Sequence, residues 1–123
     1  MGKIKNIKGR QVFDSRGNPT VEAEIFLEDG HYASAIVPSG ASTGTYEAFE
    51  LRDKNNNNYL GRSVFKAIEN IDSQITKALK NVDIADQKKI DKILIDLDGT
   101  EQKKKLGANA ILAVSIAACK LAA

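Results

Sequence analysis

The sequence predicts an α+β domain: a three-stranded antiparallel meander followed by a helical bundle packed on one face of the sheet. Three observations point there. Alternation of apolar and polar residues with a period of two is confined to the first third of the chain. Asp29-Gly30 stands between two strand-like runs, where glycine accepts the backbone of a tight turn. Apolar residues at helical spacing occupy only the second half.

The first strand spans Lys3 to Phe13, carries Ile4, Ile7, Gln11, Val12 and Phe13, and is expected to bulge at Gly9. Asp14-Ser15-Arg16-Gly17-Asn18-Pro19 is dense in turn formers and leads into the second strand. From Thr20 to Glu28 one face holds Val21, Ala23, Ile25 and Leu27; Thr20, Glu22, Glu24, Phe26 and Glu28 form a mostly polar opposite face. The third strand runs from His31 to Val37 and stops at Pro38, which has no N–H for a ladder. Val64, Ile68, Ile71, Ile75 and Leu79 then mark a helix with Ser63 as N-cap. A second helix covers Asp86 to Leu97, turns Ile90, Ile93, Leu94 and Leu97 inward and stops at Gly99. The last begins near Asn109, is apolar nearly all round and is expected to be the most buried, with Cys119 as a small core side chain. Pro38 to Thr45, and Asp53 to Gly61 with its four consecutive Asn, read as loops.

Length and composition bound the function. One hundred and twenty-three residues make one core and leave no room for a catalytic barrel of roughly 250 residues. Apolar residues at 42% and charged residues at 28% describe a globular chain, and a net charge of +2 is too balanced to imply nucleic acid or an anionic membrane as partner. A single His31 and a single Cys119 exclude a Cys/His zinc site and an intrachain disulfide. The start is basic without an apolar run behind it, and the apolar stretch from Ala108 to Ala123 is short for a membrane span, so the expected compartment is the cytoplasm.

Pro38-Ser39-Gly40-Ala41-Ser42-Thr43-Gly44-Thr45 holds two Gly, two Ser and two Thr in eight residues. Such a loop brings backbone and hydroxyl groups close to a charged ligand, or is simply a surface turn. It lacks the Gly-Lys-Ser/Thr ending of a nucleotide-binding P-loop. Asp96-Leu97-Asp98-Gly99-Thr100 matches the signature of Mg²⁺-dependent phosphohydrolases, in which one carboxylate attacks phosphorus and a second moves the proton. In that chemistry the pair ends a strand; the competing reading is a helix terminus and its turn. Asp14 beside Arg16, the ion-pair spacing of Glu47, Glu50, Arg52 and Asp53, and the Lys103-Lys104-Lys105 turn all read as structural.

Five stretches together resemble the N-terminal domain of enolase: Phe13 to Glu22, Val37 to Gly44, Tyr46 to Asp53, Leu97 to Thr100, and Leu106 to Ser115. They stand in that family's order and spacing and cover essentially the whole chain. The resemblance implies Mg²⁺-dependent, reversible loss of water from 2-phosphoglycerate to give phosphoenolpyruvate, with two Mg²⁺ per active site. It implies that bases, acid and carboxylate ligands lie on a C-terminal barrel outside these residues, and that this domain supplies a mobile loop matching Ser39, Gly40, Ala41, Ser42 and Thr43. Ser42 would offer backbone and hydroxyl oxygens to the second Mg²⁺, and Arg10 and Glu22 would face the partner subunit of a homodimer or higher homo-oligomer. With the chain ending at Ala123, the expectation is a domain cut before its barrel, folded but without dehydratase activity, tending to self-associate through surface the barrel would cover. No nucleic acid or membrane span is required, and a secondary surface or secreted pool is compatible with the family. A small phosphohydrolase using Asp96 and Asp98, or a stand-alone binding module, are the alternatives.

Overall fold

A computed structural model describes residues 2–13, 15–37, 64–99 and 106–123. The meander is β1 (Ile4–Phe13), β2 (Pro19–Leu27) and β3 (Tyr32–Ile36), paired antiparallel in the order β1-β2-β3. Register runs from Ile7 opposite Ile25 to Phe13 opposite Pro19, and from Glu22 opposite Ile36 to Phe26 opposite Tyr32. The irregularity in β1 lies between Ile4 and Asn6, at Lys5, and not at Gly9 as the sequence suggests. Gly9 serves a different purpose: a Cβ there would stand 3.2 Å from Ile71 Cβ and 3.3 Å from Ile68 Cα, so the absent side chain lets a helix approach the strand.

The helical half comprises α1 (Phe65–Asn70), a π-helical segment (Ile71–Ile75), α2 (Thr76–Leu79), α3 (Gln87–Asp98) and α4 (Ala108–Ala122). The first three form one continuous rod. Val64 takes the N-cap position one residue after Ser63, which lies outside the described residues. The π turn escapes the sequence pattern because Ile71, Ile75 and Leu79 keep a spacing of four. The Thr76 hydroxyl lies 2.6 Å from the carbonyl of Ile71, five residues back, and 2.9 Å from that of Ile7 in β1. The α3 N-cap is Asp86, whose carboxylate accepts the Lys89 N–H at 3.2 Å. Its end is Gly99, whose φ of 71° an L side chain tolerates poorly.

The helices cover one face of the sheet, as expected. The rod lies under β1, α4 lies under β2 and β3, and α3 packs mainly on α4 and α2. Between these layers Ile4, Ile7, Val21, Ile25, Ile71, Ile75, Leu79, Ile84, Ile90, Leu94 and Leu106 are buried in one core. The many inward alanines of α4, Ala110, Ala113, Ala117 and Ala118, let its backbone approach the sheet closely. Its far side is not buried: Leu112 is 46% exposed and Cys119 is exposed, so the expectation of a core cysteine is corrected. The sequence is apolar on both sides of this helix, and only the alanine-rich side has a partner among the described residues.

Unpaired strand edges invite association unless covered. The outer edge of β1 is covered at two places, Ile4 and Gly9. Ile4 exchanges backbone hydrogen bonds with Val82 and Asn81, each at 2.9 Å, and farther along Asp72 Oδ1 accepts the Gly9 N–H at 2.8 Å. On the other edge the Lys120 ammonium donates to the Ser34 carbonyl at 2.7 Å.

Candidate functional site

Ser39, Gly40, Ala41, Ser42 and Thr43 lie outside the described residues, as do Asp14, the Glu47–Asp53 group and Lys103–Lys105. What the structure shows is how the two flanks of segment 38–63 are held. Val37, at the end of β3, is 3% exposed, donates its N–H to the Val21 carbonyl at 3.0 Å and accepts the Thr20 hydroxyl at 2.6 Å. Thr20 is itself buried. Val64, on the other flank, is fully buried and donates its N–H to Gln11 Oε1 at 3.0 Å. Gln11 and Val21 are direct partners in the β1–β2 register. Both flanks are therefore fixed to neighbouring positions at one end of the sheet, the end where Phe13 meets Pro19. Sequence reasoning places Thr20 and Gln11 in strands but gives neither an anchoring role. A threonine in the polar row of a strand and a glutamine at an inward position are the only signals they leave.

Arg10 and Glu22 do come together, within the chain and with a third residue. They face each other across β1 and β2, and the Arg10 guanidinium reaches Glu22 at 3.0 Å and Glu24 at 2.7 Å. The carboxylates of Glu24 first and Glu22 second push the Arg10 pKa above its already high ordinary value. This fork lies on the sheet face opposite the helices. With Arg10 43% exposed the pair adds little stability, and Arg10→Ala is expected to change the unfolding free energy of the chain by less than about 1 kcal/mol in a denaturant titration.

Asp96 and Asp98 do not form a carboxylate pair. Both belong to α3, not to a strand end, and positions two apart point about 200° from each other around a helix axis. Asp96 is exposed, whereas Asp98 is 3% exposed and accepts the Leu106 N–H at 2.7 Å. Among the described residues no three His, Cys, Asp or Glu side chains cluster to hold a metal ion, and no helix is long and apolar enough to cross a membrane.

His31 belongs to the β2–β3 hairpin. Asp29 Oδ1 accepts both its backbone N–H and its Nδ1, each at 2.9 Å. These bonds, the backbone one first, hold the Asp29 carboxyl below its ordinary value. A depressed carboxyl stabilises the turn above the ordinary aspartate range and loses that contribution as pH falls through the lowered folded value. The His31 amide resonance is expected to move in step with the Asp29 carboxyl in an acid NMR titration, and both are expected to move below the unperturbed range.

A three-stranded antiparallel meander with helices packed on one face is the α+β arrangement these residues define. The family model for the enolase N-terminal domain matches residues 4–123, and the chain belongs to that family. It is 63% identical over 123 residues to the enolase of Pelagibacter ubique, a match that covers 100% of this chain and 29% of that relative. Asp96 to Thr100 thus lies within the stretch that the family model matches.

Proposed function

We propose that this domain serves as the capping domain of an enolase, in the interconversion of 2-phosphoglycerate and phosphoenolpyruvate in cytoplasmic glycolysis. The observation that carries this reading is the anchoring of both flanks of segment 38–63 on the register pair Gln11–Val21, in a chain of the enolase family. In this reading the mobile loop of the enolase family is assigned to Ser39–Thr43, directly after the anchored Val37. Gly40 and Ala41 keep it slim, and the Ser42 hydroxyl and carbonyl are hard oxygen donors of the type Mg²⁺ takes. Mg²⁺, when bound, neutralises the charge that builds up as a proton leaves the carbon beside a carboxylate. In this reading the acidic ligands of the ion and the proton-abstracting base belong to a C-terminal barrel, as the resemblance to enolases implies. By itself the 123-residue segment is therefore expected to form no phosphoenolpyruvate.

The test uses the full-length enzyme. Ser42→Ala is expected to raise the Mg²⁺ concentration needed for half-maximal phosphoenolpyruvate formation and to lower kcat. Thr20→Val, which frees the Val37 carbonyl, is expected to lower kcat with a smaller change in Mg²⁺ dependence. An unchanged Mg²⁺ dependence in Ser42→Ala would overturn the assignment of Ser42. The same reading assigns Arg10 and Glu22 to the contact with a second subunit of a homodimer. Arg10→Ala is then expected to shift sedimentation toward monomer while barely altering the stability of the domain.

A further inference from the structure

The two edges of the sheet are protected by different means. Backbone of Asn81 and Val82 and the carboxylate of Asp72 lie against β1, whereas β3 is an outermost strand of five residues. Hydrogen bonding fixes which groups β3 turns away from β2. The Val37 N–H donates to the Val21 carbonyl at 3.0 Å, and the Leu27 N–H to the His31 carbonyl at 2.8 Å. Odd-numbered residues therefore bond to β2, and Tyr32, Ser34 and Ile36 direct their N–H and C=O groups outward. Among the described residues a single group on this outer edge has a partner: the Ser34 carbonyl accepts the Lys120 ammonium at 2.7 Å. Lys120 stands in the last turn of α4, the helix packed under β2 and β3, so this bond reaches from the helical layer to the edge of the sheet.

Ser34 is the middle one of the three outward residues. A second copy laid antiparallel against β3 and centred there would be two-fold symmetric, with Ser34 opposite the partner's Ser34 and Tyr32 opposite the partner's Ile36. The outward N–H and C=O groups would then complement one another. Tyr32 and Ile36, 64% and 52% exposed, would form aromatic–aliphatic pairs across the junction. No proline interrupts β3 to forbid this. The obstacle is Lys120. Its ammonium occupies the carbonyl beside the symmetry axis, and a second strand would have to displace it or bury it next to the same group of the other copy. Lysine at a sheet edge is one of the devices by which natural sheets avoid such pairing. We propose that Lys120 is a guard residue that keeps β3 from pairing edge to edge with a second copy of this chain. The surface concerned is the edge of the strand and not the sheet face that carries Arg10 and Glu22, so the guard is independent of the proposed subunit contact.

The experiment reads sedimentation and amide exchange in the 123-residue chain and in the full-length enzyme. Lys120→Met keeps the length of the side chain, and Lys120→Ala keeps a strong helix former. Both are expected to self-associate about tenfold more tightly than the native protein. Exchange of the Tyr32, Ser34 and Ile36 amides is expected to slow in them as protein concentration rises. Lys120→Arg restores the cation and the donor and is expected to behave as native. Adding Ser34→Pro to Lys120→Met removes an outward N–H without touching the β2 ladder and is expected to abolish the gain. Association through the Arg10–Glu22 face would instead persist in that double variant. Unchanged association in both Lys120→Met and Lys120→Ala, an equal gain in Lys120→Arg, or a gain that survives Ser34→Pro would each overturn the proposal.

Discussion

Asp98→Ala is expected to destabilise the domain by about 2–3 kcal/mol, the range for losing a buried hydrogen bond to a charged acceptor. In thermal unfolding that corresponds to a fall in Tm of roughly 10 °C for a domain of this size. The carboxylate sits at the last position of α3, where the helix dipole disfavours negative charge, and it is 3% exposed. Its compensation is the 2.7 Å bond from the Leu106 N–H at the entrance to α4. Leu106 is itself fully buried, so alanine at 98 leaves that N–H without this acceptor and without water to replace it. Asp98→Asn keeps an acceptor oxygen of nearly the same shape and is expected to lose clearly less. A phosphohydrolase using this residue would show the reverse order of importance: intact folding with lost activity in both variants. Comparing their Tm values therefore separates a tie between two helices from a catalytic acid.

The architecture was legible because periodicity reports burial directly. Val21, Ala23, Ile25 and Leu27 alternate, and each is buried; Ile90 and Leu94 fall at helical spacing, and each is buried. The Asp29-Gly30 turn and the Gly99 stop were legible because each requires a backbone conformation that few residues adopt. Features that depend on two distant segments meeting were not legible. Cys119 sits in an apolar run, and only the position of the sheet decides which side of α4 is covered. The anchors of segment 38–63 are a threonine hydroxyl, a glutamine amide and backbone groups, whose pairing depends on register rather than on residue type. The Arg10 fork was half legible: Arg10 and Glu22 came from the family resemblance, whereas Glu24 enters because it is the next outward position on β2. The bulge was expected at the glycine because glycine often marks one, but Lys5 carries it and Gly9 marks a close contact instead.

That contact sets the second large effect. Gly9→Ala is expected to cost about 1–3 kcal/mol, the range for overpacking a tight interface. Gly9 does not have a positive φ, so the backbone accepts alanine and the penalty comes from space alone. The new methyl would lie 3.2 Å from Ile71 Cβ and 3.3 Å from both Ile68 Cα and Ile68 Cγ2. A rotamer change relieves a contact with a side-chain tip, but Ile68 Cα is backbone and moves only with the rod. The rod is held in place by the bond from the Gly9 N–H to Asp72 at 2.8 Å and by Thr76 against the Ile7 carbonyl at 2.9 Å. Releasing one tether should therefore make the methyl cheaper to accommodate. In a double-mutant cycle followed by denaturant unfolding, Gly9→Ala is expected to cost less in an Asp72→Ala background than in the native one, with a coupling of about 0.5–1 kcal/mol. Strict additivity would show that the rod adjusts freely, and that Gly9 is not the residue that lets strand and helix meet.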